Sequence, residues 1–345
     1  MSYQITVQPS GHQFEVKKDE FILDAALRQG ISFPYGCRSG SCGTCLGKVI
    51  EGEVEYPEGL PITVMEHEHK QGRAAFCVCK AKSDLVLNVK EISSSTEIEI
   101  KKLPVRVTSL RKLSDDVMEM TLALPANQRM AFRAGQYIEF LLRDNKRRAF
   151  SLANSPTHDD YLELHLRLVE GGYFTPHVFN EMKEKALLRI EGPFGSFFIR
   201  ELDEQDEALG NTPRPLILIA GGTGFAPIKG MVEQLIEEND KRPLHIYWGV
   251  RAKADLYRDD LPKKWAFQHE NISYTPVLSD AKDDDNWQGK TGFVHSIVAE
   301  DVKDLSAVDV YMAGPPPMIE AAKETFTQQG LPDDQLFFDS FEYAE

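Results

Sequence analysis

The alternation of hydrophobic and polar residues divides the chain into three segments with different patterns. In residues 1–92, two short alternating runs on either side of Ser10-Gly11 predict a β-hairpin. Apolar residues at helical spacing over 22–27 predict a helix, and residues 84–89 predict a further strand. This order of elements is typical of a small mixed α/β domain.

The second segment follows a polar, serine-rich stretch at residues 93–102, which we interpret as a linker. Over residues 103–200, short hydrophobic runs recur at close intervals and are interrupted by one helical stretch, Pro176–Lys185. Six short strands separated by turn signals favour a six-stranded antiparallel barrel. The predicted strands cover residues 105–110, 117–124, 136–143, 149–153, 161–169 and 187–191.

In the third segment, residues 214–345, strands alternate with helices. Residues 216–220 form a continuous apolar run, as expected for a parallel strand that is buried on both faces. An apolar stripe at helical spacing follows over 228–236. Further strands at 244–248, 272–278 and 308–312 and a last helix at 318–329 complete the pattern of a doubly wound parallel sheet. The sequence therefore predicts a multidomain α+β and α/β protein.

Composition narrows the class of protein. The formal net charge of −15 at pH 7 argues against nucleic acid as a partner. No apolar run approaches the roughly 18 residues that a membrane span needs, and the first residues lack the pattern of a signal peptide. We therefore expect a cytoplasmic protein with no nucleic-acid or membrane partner, and we take it to be a monomer.

Four of the five cysteines have the spacing C-x4-C-x2-C…C, in which three ligands come from one tight loop. They are Cys37, Cys42, Cys45 and Cys77. This is the spacing of plant-type [2Fe–2S] ferredoxins, and glycines within the loop supply the backbone freedom that wrapping a cluster requires. Zinc is the alternative, but structural zinc sites pair two compact cysteine groups and only one is present here.

The fourth ligand is ambiguous from spacing alone, because Cys77 and Cys79 are two residues apart and would face the same side of a strand. The stretch resembles a plant-type ferredoxin, a β-grasp domain in which a single cysteine follows an apolar run and precedes Val. Ala75-Phe76-Cys77-Val78 fits that register. The resemblance implies that Cys77 is the ligand and that Cys79 is a small buried residue.

The barrel segment contains Arg148-Ala149-Phe150-Ser151, which resembles the Arg-x-Tyr-Ser signature of the ferredoxin–NADP reductase superfamily. The resemblance implies that Arg148 holds the pyrophosphate of FAD, that Phe150 packs against the isoalloxazine and that Ser151 lies near its N5 atom as a catalytic residue. Phe150 stands where the family has Tyr, which preserves stacking but removes a hydroxyl.

A second flavin element lies further along the barrel segment. His165 and Arg167 resemble residues of the family's strand along the flavin, and Gly172 and Thr175 resemble its Gly-x-x-Ser phosphate turn, with Thr175 in the Ser position. A helix is predicted to begin at Pro176, and the free N–H groups of a helix N-terminus attract phosphate.

The third segment opens with Gly221-Gly222-Thr223-Gly224-Phe225-Ala226-Pro227, between a buried strand and an amphipathic helix. Such a loop lets the backbone approach a pyrophosphate, although it is neither the Rossmann pattern nor a P-loop. It resembles the superfamily's own Gly-Gly-Thr-Gly-x-Ala-Pro loop. The resemblance implies that four residues bind the nicotinamide nucleotide: Gly222, Thr223, Gly224 and Pro227.

Ala313-Gly314-Pro315-Pro316-Pro317-Met318 resembles the family's Cys-Gly-Pro-x-x-Met turn, which implies that Gly314, Pro315 and Met318 contact the nicotinamide. Ala313 replaces the usual cysteine, which brings the efficiency of hydride transfer into question. Near the end of the chain, Phe341 resembles the aromatic cover of the flavin face and is the second catalytic candidate, with simple core packing as the alternative.

The choice between NADH and NADPH depends on the residues after the second strand of this segment. A 2′-phosphate normally requires a cluster of Arg, Lys and Ser. Only Arg251 and Lys253 lie there, and Asp255 follows. We therefore expect NADH, with Arg251 among the residues that bind it.

The order of the three segments indicates the function. A hydride carries two electrons, a [2Fe–2S] cluster accepts one at a time, and a flavin can exchange both. The order of the segments resembles that of reductase components of bacterial oxygenases. Over nearly its whole length the chain also resembles the reductases of CDP-6-deoxyhexulose dehydrases in deoxysugar synthesis, through the segments Leu23–Leu27, Arg189–Pro193, His245–Gly249 and Thr291–His295. The resemblance implies an NADH-dependent reductase that passes electrons through FAD and its own cluster to a dehydrase or an oxygenase component. A redox sensor with the same cofactors is the third alternative.

Overall fold

The computed structural model describes residues 2–92, 98–201 and 213–341. The chain forms two compact units, Met1–Glu97 and Ile98–Glu345. Two parts of the predicted segments lie outside the described residues: 93–97, which is half of the predicted linker, and 342–345 at the end of the third segment. No helix within the described ranges is long and apolar enough to cross a membrane.

The first unit is built on a five-stranded mixed sheet with strand order β2-β1-β7-β3-β5 and a separate two-stranded sheet, β4-β6. Its elements are β1 (Ser2–Gln8), β2 (Gln13–Lys17), α1 (Ile22–Arg28), β3 (Leu46–Glu51), β4 (Val54–Glu55), α2 (Glu66–Lys70), β5 (Arg73–Ala75), β6 (Lys80–Ala81) and β7 (Leu85–Asn88). Helix α1 covers the sheet with a buried face that includes Ile22 and Leu23. The mixed sheet under one helix is the expected β-grasp arrangement.

Helix α1 also fixes the segment that carries Cys77. The backbone N–H of Leu23 donates to the carbonyl of Phe76 at 3.0 Å, and that of Ile22 donates to the carbonyl of Cys79 at 3.2 Å. These two amides have no partner within the helix because they lie in its first turn. Cys77 and Cys79 lie in the turn segment between β5 and β6, so the expectation that they share a strand was wrong. The start of α1, and not a strand, therefore positions these two cysteines.

The second unit begins with a six-stranded antiparallel sheet of order β11-β10-β13-β8-β9-β12. Its strands are β8 (Lys101–Lys112), β9 (Val117–Ala123), β10 (Tyr137–Leu141), β11 (Arg147–Ser151), β12 (Tyr161–Arg167) and β13 (Leu187–Phe194), with α3 (Thr175–Asn180) before the last strand. A single bridge between Leu152 and Leu164 joins the two ends of the sheet, which is consistent with the predicted barrel.

The two largest differences from the predicted bounds in this sheet are at the start of β8 and the end of α3. Strand β8 begins at Lys101, inside the predicted linker, and its first residue pairs with Gly192. Helix α3 ends at Asn180 instead of Lys185, which has a positive φ of 73°. Propensity alone does not reveal either feature, because strand pairing and a left-handed backbone turn decide them.

The rest of the second unit is a six-stranded parallel sheet of order β17-β16-β15-β14-β18-β19. Its elements are β14 (Leu216–Gly221), α4 (Phe225–Glu237), β15 (Leu244–Val250), α5 (Asp260–Gln268), β16 (Ile272–Leu278), β17 (Lys290–Thr291), α6 (Val294–Asp301), β18 (Asp309–Gly314), α7 (Pro316–Gln328) and β19 (Leu336–Ser340). Every residue of β14 is buried, and apolar clusters lie on both faces of the sheet. This is the predicted doubly wound fold.

The antiparallel and parallel sheets of the second unit share apolar packing. Val117 of β9, with Ala134 and Phe197 from segments next to β10 and β13, belongs to the same buried cluster as the β14 and α4 side chains. The Phe197 ring lies 6.2 Å from the ring of Tyr311 on β18. The two sheets therefore hold one another in place, and residues from both can contribute to one site.

Candidate functional site

The four cysteines singled out by their spacing converge in two pairs in the first unit. The Sγ atoms of Cys45 and Cys77 are 3.0 Å apart. The backbone N–H groups of Ser39 and Cys42 each donate to Cys37 Sγ at 3.4 Å. Amides that point at thiolates are the interactions that stabilise an iron–sulfur cluster, so this donor set fits a [2Fe–2S] group.

Hydrogen bonds between the sulfur atoms shift their ionisation. The hydrogen bond with the Cys42 thiol lowers the pKa of Cys37 to about 5, although burial opposes the shift. The hydrogen bond with Cys77 lowers the pKa of Cys45, whereas this bond and burial raise the pKa of Cys77. One thiol of each pair is therefore favoured as thiolate, the form that binds a metal.

Cys79 has different surroundings. Its side chain is fully buried, and burial is the main cause that raises the pKa of its thiol. Cys77, rather than Cys79, is within 3.0 Å of Cys45. The geometry therefore favours Cys77 where spacing alone left two choices.

The cluster loop depends on Gly40, whose φ is +81°. A Cβ at this position would lie 2.8 Å from Pro61 Cβ and 2.9 Å from Val78 Cγ2. The Gly40 carbonyl accepts a hydrogen bond from Thr63 Oγ1 at 2.7 Å. Only glycine combines this backbone conformation with such close approach of neighbouring segments.

In the second unit, β11 carries the three residues of the predicted flavin signature. Phe150 packs 5.8 Å, centroid to centroid, from both Phe140 and Phe174 in the core of the antiparallel sheet. Arg148 is partly buried, and its Nη1 donates to the carbonyl of Arg147 at 2.8 Å. Arg147 faces Glu139 and Glu191 at 2.6 Å each. The neighbouring arginines thus have different surroundings, and Arg147 is held by carboxylates.

Ser151 connects β11, which we call the flavin strand, to β19. Its Oγ donates to Asp339 Oδ2 at 3.1 Å. Asp339 lies on β19 and pairs with Ala313 of β18, while the backbone N–H of Phe341 donates to the carbonyl of Gly314 at 2.9 Å. Both catalytic candidates, Ser151 and Phe341, are therefore attached to the β18–β19 edge.

The predicted phosphate turn is closed by local hydrogen bonds. Thr175 is buried at the start of α3, and its Oγ1 accepts from the backbone N–H of Val169 at 3.0 Å. The N–H of Gly172 donates to the carbonyl of Val169 at 3.0 Å. The Thr175 hydroxyl hydrogen is not required for this turn, because the oxygen acts as the acceptor.

His165 and Arg167 point to different surroundings. The ring nitrogens of His165 lie 3.0 Å from Tyr257 Oη and 3.0 Å from Glu163 Oε1, so its buried ring is taken up within the protein. Because both ring nitrogens have protein partners, His165 can contact a cofactor through its backbone but not through its ring nitrogens. Arg167 Nε lies 3.2 Å from Asp116, and its Nη1 is 3.3 Å from where a Cβ of Gly222 would be. Its guanidinium therefore reaches Gly222 in the segment Gly221–Pro227, which we call the nicotinamide loop.

The two glycine-containing turns meet at the carboxyl ends of adjacent strands β14 and β18. A Cβ on Gly224 would lie 1.9 Å from the carbonyl oxygen of Ala313, so this position admits no side chain. Met318 fills the space beside Gly221 and Gly314, with atoms 2.5 Å and 2.7 Å from the positions of their missing Cβ atoms. These glycines let the two turns pack closely against each other. Carboxyl ends of parallel strands are where doubly wound sheets bind nucleotides, so the two turns lie at the expected nucleotide edge.

The other residues that the sequence assigned to nicotinamide binding lie around this edge of the sheet. Thr223 is partly buried in the loop, Pro227 is buried in the first turn of α4, and Pro315 directly precedes α7. Arg251 is exposed just beyond β15. The second candidate cation for a 2′-phosphate, Lys253, is already hydrogen-bonded within the protein: its Nζ donates to the carbonyl of Asp285 at 3.1 Å.

Comparisons with known proteins follow the same three-part division. Family models match a 2Fe-2S iron-sulfur cluster binding domain at residues 5–82, an oxidoreductase FAD-binding domain at 104–199 and an oxidoreductase NAD-binding domain at 218–324. The CDP-6-deoxy-L-threo-D-glycero-4-hexulose-3-dehydrase reductase of Yersinia pestis is 41% identical over 341 residues, which cover 99% of this chain and 99% of that protein. The chain belongs to the ferredoxin–NAD(P)H reductase family.

Two further relatives show the breadth of this family. The phenol 2-monooxygenase reductase component DmpP of Pseudomonas sp. (strain CF600) is 36% identical over 348 residues, covering 99% of this chain and 95% of that protein. The crystal structure of the cytochrome P450 reductase GcoB of Amycolatopsis matches with a TM-score of 0.81 and 29% identity, covering 99% of this chain and 100% of that one.

As a member of the ferredoxin–NAD(P)H reductase family, the chain is an oxidoreductase that transfers electrons from a nicotinamide nucleotide through FAD to a [2Fe–2S] cluster. This confirms the function predicted from the order of the motifs. The flavin supplies the exchange between two-electron and one-electron transfer. The protein's contribution is to position the carriers.

Sequence reasoning missed Asp339, the partner of Ser151. The signal was present, because Asp339 is the only charged residue in the aromatic stretch Phe337–Phe341. An acidic residue within an otherwise apolar strand is costly to bury without a partner. Its pairing with Ser151, which is 188 residues away, could not be read from local pattern.

Proposed function

We propose that this reductase uses NADH to supply single electrons to a CDP-6-deoxyhexulose dehydrase in deoxysugar synthesis. The full-length likeness to the Yersinia dehydrase reductase carries the proposal, since it extends across all three domains at the highest identity among the relatives described above. The partner is then a dehydrase protein that accepts electrons at the first unit.

A second candidate partner is an oxygenase component. The likeness to the phenol 2-monooxygenase reductase component favours it, because that relative also aligns with nearly the whole chain. Both partners would receive electrons one at a time from the cluster. The identity of the partner is therefore a question of which protein surface docks on the first unit.

The preference for NADH is supported by the residues beyond β15. Arg251 is the exposed cation there, whereas Lys253 is bonded to the carbonyl of Asp285 and Asp255 Oδ2 accepts from the N–H of Ala252 at 3.1 Å. A 2′-phosphate would meet one arginine and a nearby carboxylate. That arrangement favours a ribose hydroxyl over a phosphate.

In the proposed assignment the cluster ligands are Cys37, Cys42, Cys45 and Cys77. Arg148 pairs with the flavin pyrophosphate, Phe150 borders the ring system, and the turn through Gly172 and Thr175 presents donors to phosphate. Support comes from the separate surroundings of Arg147 and Arg148, and from the pairing of the sulfur atoms of Cys45 with Cys77 and of Cys37 with Cys42.

The nicotinamide nucleotide is assigned to the backbone at Gly222–Gly224, with Pro227 and the Gly314–Met318 turn beside it. Ser151 and Phe341 border the place where nicotinamide and flavin must meet, because both are bonded to the β18–β19 edge. Arg167 reaches the same loop with its guanidinium.

Reconstitution tests the proposal. The purified holoprotein is mixed with the CDP-6-deoxyhexulose dehydrase of Yersinia pestis and its sugar substrate, or with the phenol 2-monooxygenase oxygenase component and phenol. NADH oxidation coupled to product formation with the dehydrase, and not with the oxygenase, is the expected result. Coupling only with the oxygenase would replace the first candidate by the second.

The same assay run with NADPH tests the nucleotide assignment. We expect kcat/KM to be at least tenfold higher with NADH. Equal values would contradict the assignment of Arg251 and its surroundings to a ribose without a 2′-phosphate. Rapid NADH oxidation with ferricyanide would argue against a redox sensor, which needs no turnover.

A further inference from the structure

A continuous series of five side chains, four buried and one (Glu163) partly buried, connects the end of the flavin strand to the nicotinamide loop. We call it the connecting chain. It consists of Lys229, Glu163, His165, Tyr257 and Trp248, which come from β12, α4, β15 and the segment before α5. None of these side chains touches a cofactor in the assignment above.

One end of the connecting chain holds helix α4 against the segment that directly follows the flavin strand. Lys229 is only 4% exposed, and its Nζ donates to the carbonyl of Ala153 at 3.0 Å. Ala153 lies two residues beyond Ser151. The next residue of the helix, Gly230, approaches so closely that a Cβ would lie 3.0 Å from the carbonyl oxygen of Asn154. Helix α4, which begins at the nicotinamide loop, therefore rests on Ala153 and Asn154, directly after the flavin strand.

The same lysine begins a polar path through the interface. Lys229 Nζ lies 3.1 Å from Glu163 Oε1 and 2.9 Å from Glu233 Oε2. Although burial opposes ionisation, the hydrogen bond with His165 and the charge of Lys229 lower the pKa of Glu163 to about 2. Glu163 is therefore a carboxylate that can only accept hydrogen bonds.

The state of Glu163 fixes the direction of the next two bonds. Burial lowers the pKa of His165, so its ring is neutral. Because Glu163 can only accept, Nε2 carries the hydrogen and donates at 3.0 Å, which leaves Nδ1 as the acceptor of the Tyr257 hydroxyl at 3.0 Å. Each bond in this series has one allowed direction.

The other end of the connecting chain reaches the nicotinamide loop. The Tyr257 ring packs edge-on against Trp248 at 5.1 Å, and Trp248 stacks on Phe225 at 4.0 Å. Trp248 Nε1 donates to the carbonyl of Gly222 at 2.9 Å. The neighbour of Tyr257, Arg258, is bonded to Glu119 of β9 at 2.9 Å, which attaches this segment to the antiparallel sheet.

We propose that the connecting chain holds the nicotinamide loop at a fixed distance from the flavin strand and thereby sets the rate of hydride transfer. Its members are positioning residues, because they act through Gly222 and Ala153 and not on the reacting atoms. Reacting atoms must come within about 3–3.5 Å, and a misplacement of about 1 Å can cost on the order of 100-fold in rate. The inference rests on the proposed roles of the two loops and deepens them.

Tyr257→Phe tests the proposal with a mild change, since it removes one hydroxyl and keeps the ring. In the full-length holoprotein, we expect the rate of flavin reduction at saturating NADH to fall roughly tenfold. The charge-transfer absorbance between nicotinamide and flavin should weaken, while FAD and iron contents stay at wild-type values. Backbone amides of residues 222–226 should exchange hydrogen faster than in the wild type, also without nucleotide.

Tyr274→Phe is the matched control. Tyr274 also lies in the parallel-sheet half of the unit, and its hydroxyl donates to Asp259 Oδ1 at 2.8 Å, outside the connecting chain. A loss of thermal stability similar to that of Tyr257→Phe, with an unchanged rate of flavin reduction, is expected. If flavin reduction is equally fast in Tyr257→Phe and Tyr274→Phe, whether both keep the wild-type rate or both lose the same part of it, then Tyr257 is only a structural residue. That result would overturn the proposal.

A double-mutant cycle tests whether the series acts as one unit. Lys229→Met alone should also lower the rate, and its effect should shrink when Tyr257→Phe is already present. Fully additive effects would contradict a single connecting chain. Failure of wild-type protein to reduce its flavin with NADH would instead contradict the proposed function, so the two failures are distinguishable.

Discussion

The cluster loop of the first unit and the flavin–nicotinamide junction of the second unit are built in opposite ways. Three of the four converging cysteines lie within nine residues, Cys37–Cys45, and only Cys77 comes from further along the chain. At the junction, Ser151 is bonded to Asp339 across 188 residues, and His165 to Tyr257 across 92. An iron–sulfur cluster needs several ligands from one short loop around it. Hydride transfer instead needs two separately bound molecules held at a fixed distance.

This contrast explains which changes each region tolerates. The cluster loop can be disrupted by one local substitution, because its geometry depends on a few successive residues. The junction distributes positioning over long-range pairs from several strands. We therefore expect sharp, complete losses in the first unit and graded losses in the second.

The largest expected effect comes from removing the first unit. Because β8 begins at Lys101, the truncated protein should start at Ile98 and not at Leu103, so that the strand stays intact. It should still oxidise NADH with ferricyanide, which accepts electrons directly from flavin. It should lose nearly all reduction of cytochrome c, which draws single electrons from the cluster.

The measurement is the ratio of the two rates in the full-length and truncated proteins. FAD content serves as the control for an intact second unit. An unchanged ratio would show that electrons do not leave through the cluster, and the proposed order of transfer would fail.

Within the first unit, Cys77→Ser and Cys79→Ser form a matched pair. Cys77 Sγ lies 3.0 Å from Cys45 Sγ, whereas Cys79 is fully buried. Cys77→Ser should remove the visible absorption of the cluster and most of the bound iron, and Cys79→Ser should leave both. Iron loss in the second variant alone would reverse the ligand assignment.

The same contrast governs how much could be predicted from sequence. The cysteine spacing, the glycine loop at 221–224 and the parallel-sheet pattern are local, and the fold and function inferred from them are confirmed. Strand β19 and the partners of Ser151 and His165 escaped prediction. Their positions depend on which strands lie side by side, and local periodicity does not contain that information.

A substitution at the flavin strand should have an intermediate effect. Loss of a charge-assisted contact from Arg148 to a pyrophosphate costs about 1.5–3 kcal/mol, so Arg148→Ala should weaken FAD binding by roughly 10- to 150-fold. Arg147→Ala is the control, because Arg147 is bonded to Glu139 and Glu191. We expect dialysis to remove FAD from the first variant only, while both keep the cluster. Equal retention of FAD would count against the role of Arg148.

The smallest expected effect concerns the bond between Ser151 and Asp339. A hydrogen bond of this kind contributes about 1 kcal/mol, so its loss in Asp339→Ala should slow flavin reduction by NADH about fivefold. FAD and iron contents should not change, because Asp339 is not assigned to either group. Asp333→Ala is the control, since Asp333 is exposed just before the same strand. Stopped-flow reduction at saturating NADH is the measurement. A wild-type rate in Asp339→Ala would mean that the long-range pair only tethers the end of the chain, and the junction would then depend on fewer residues than the structure suggests.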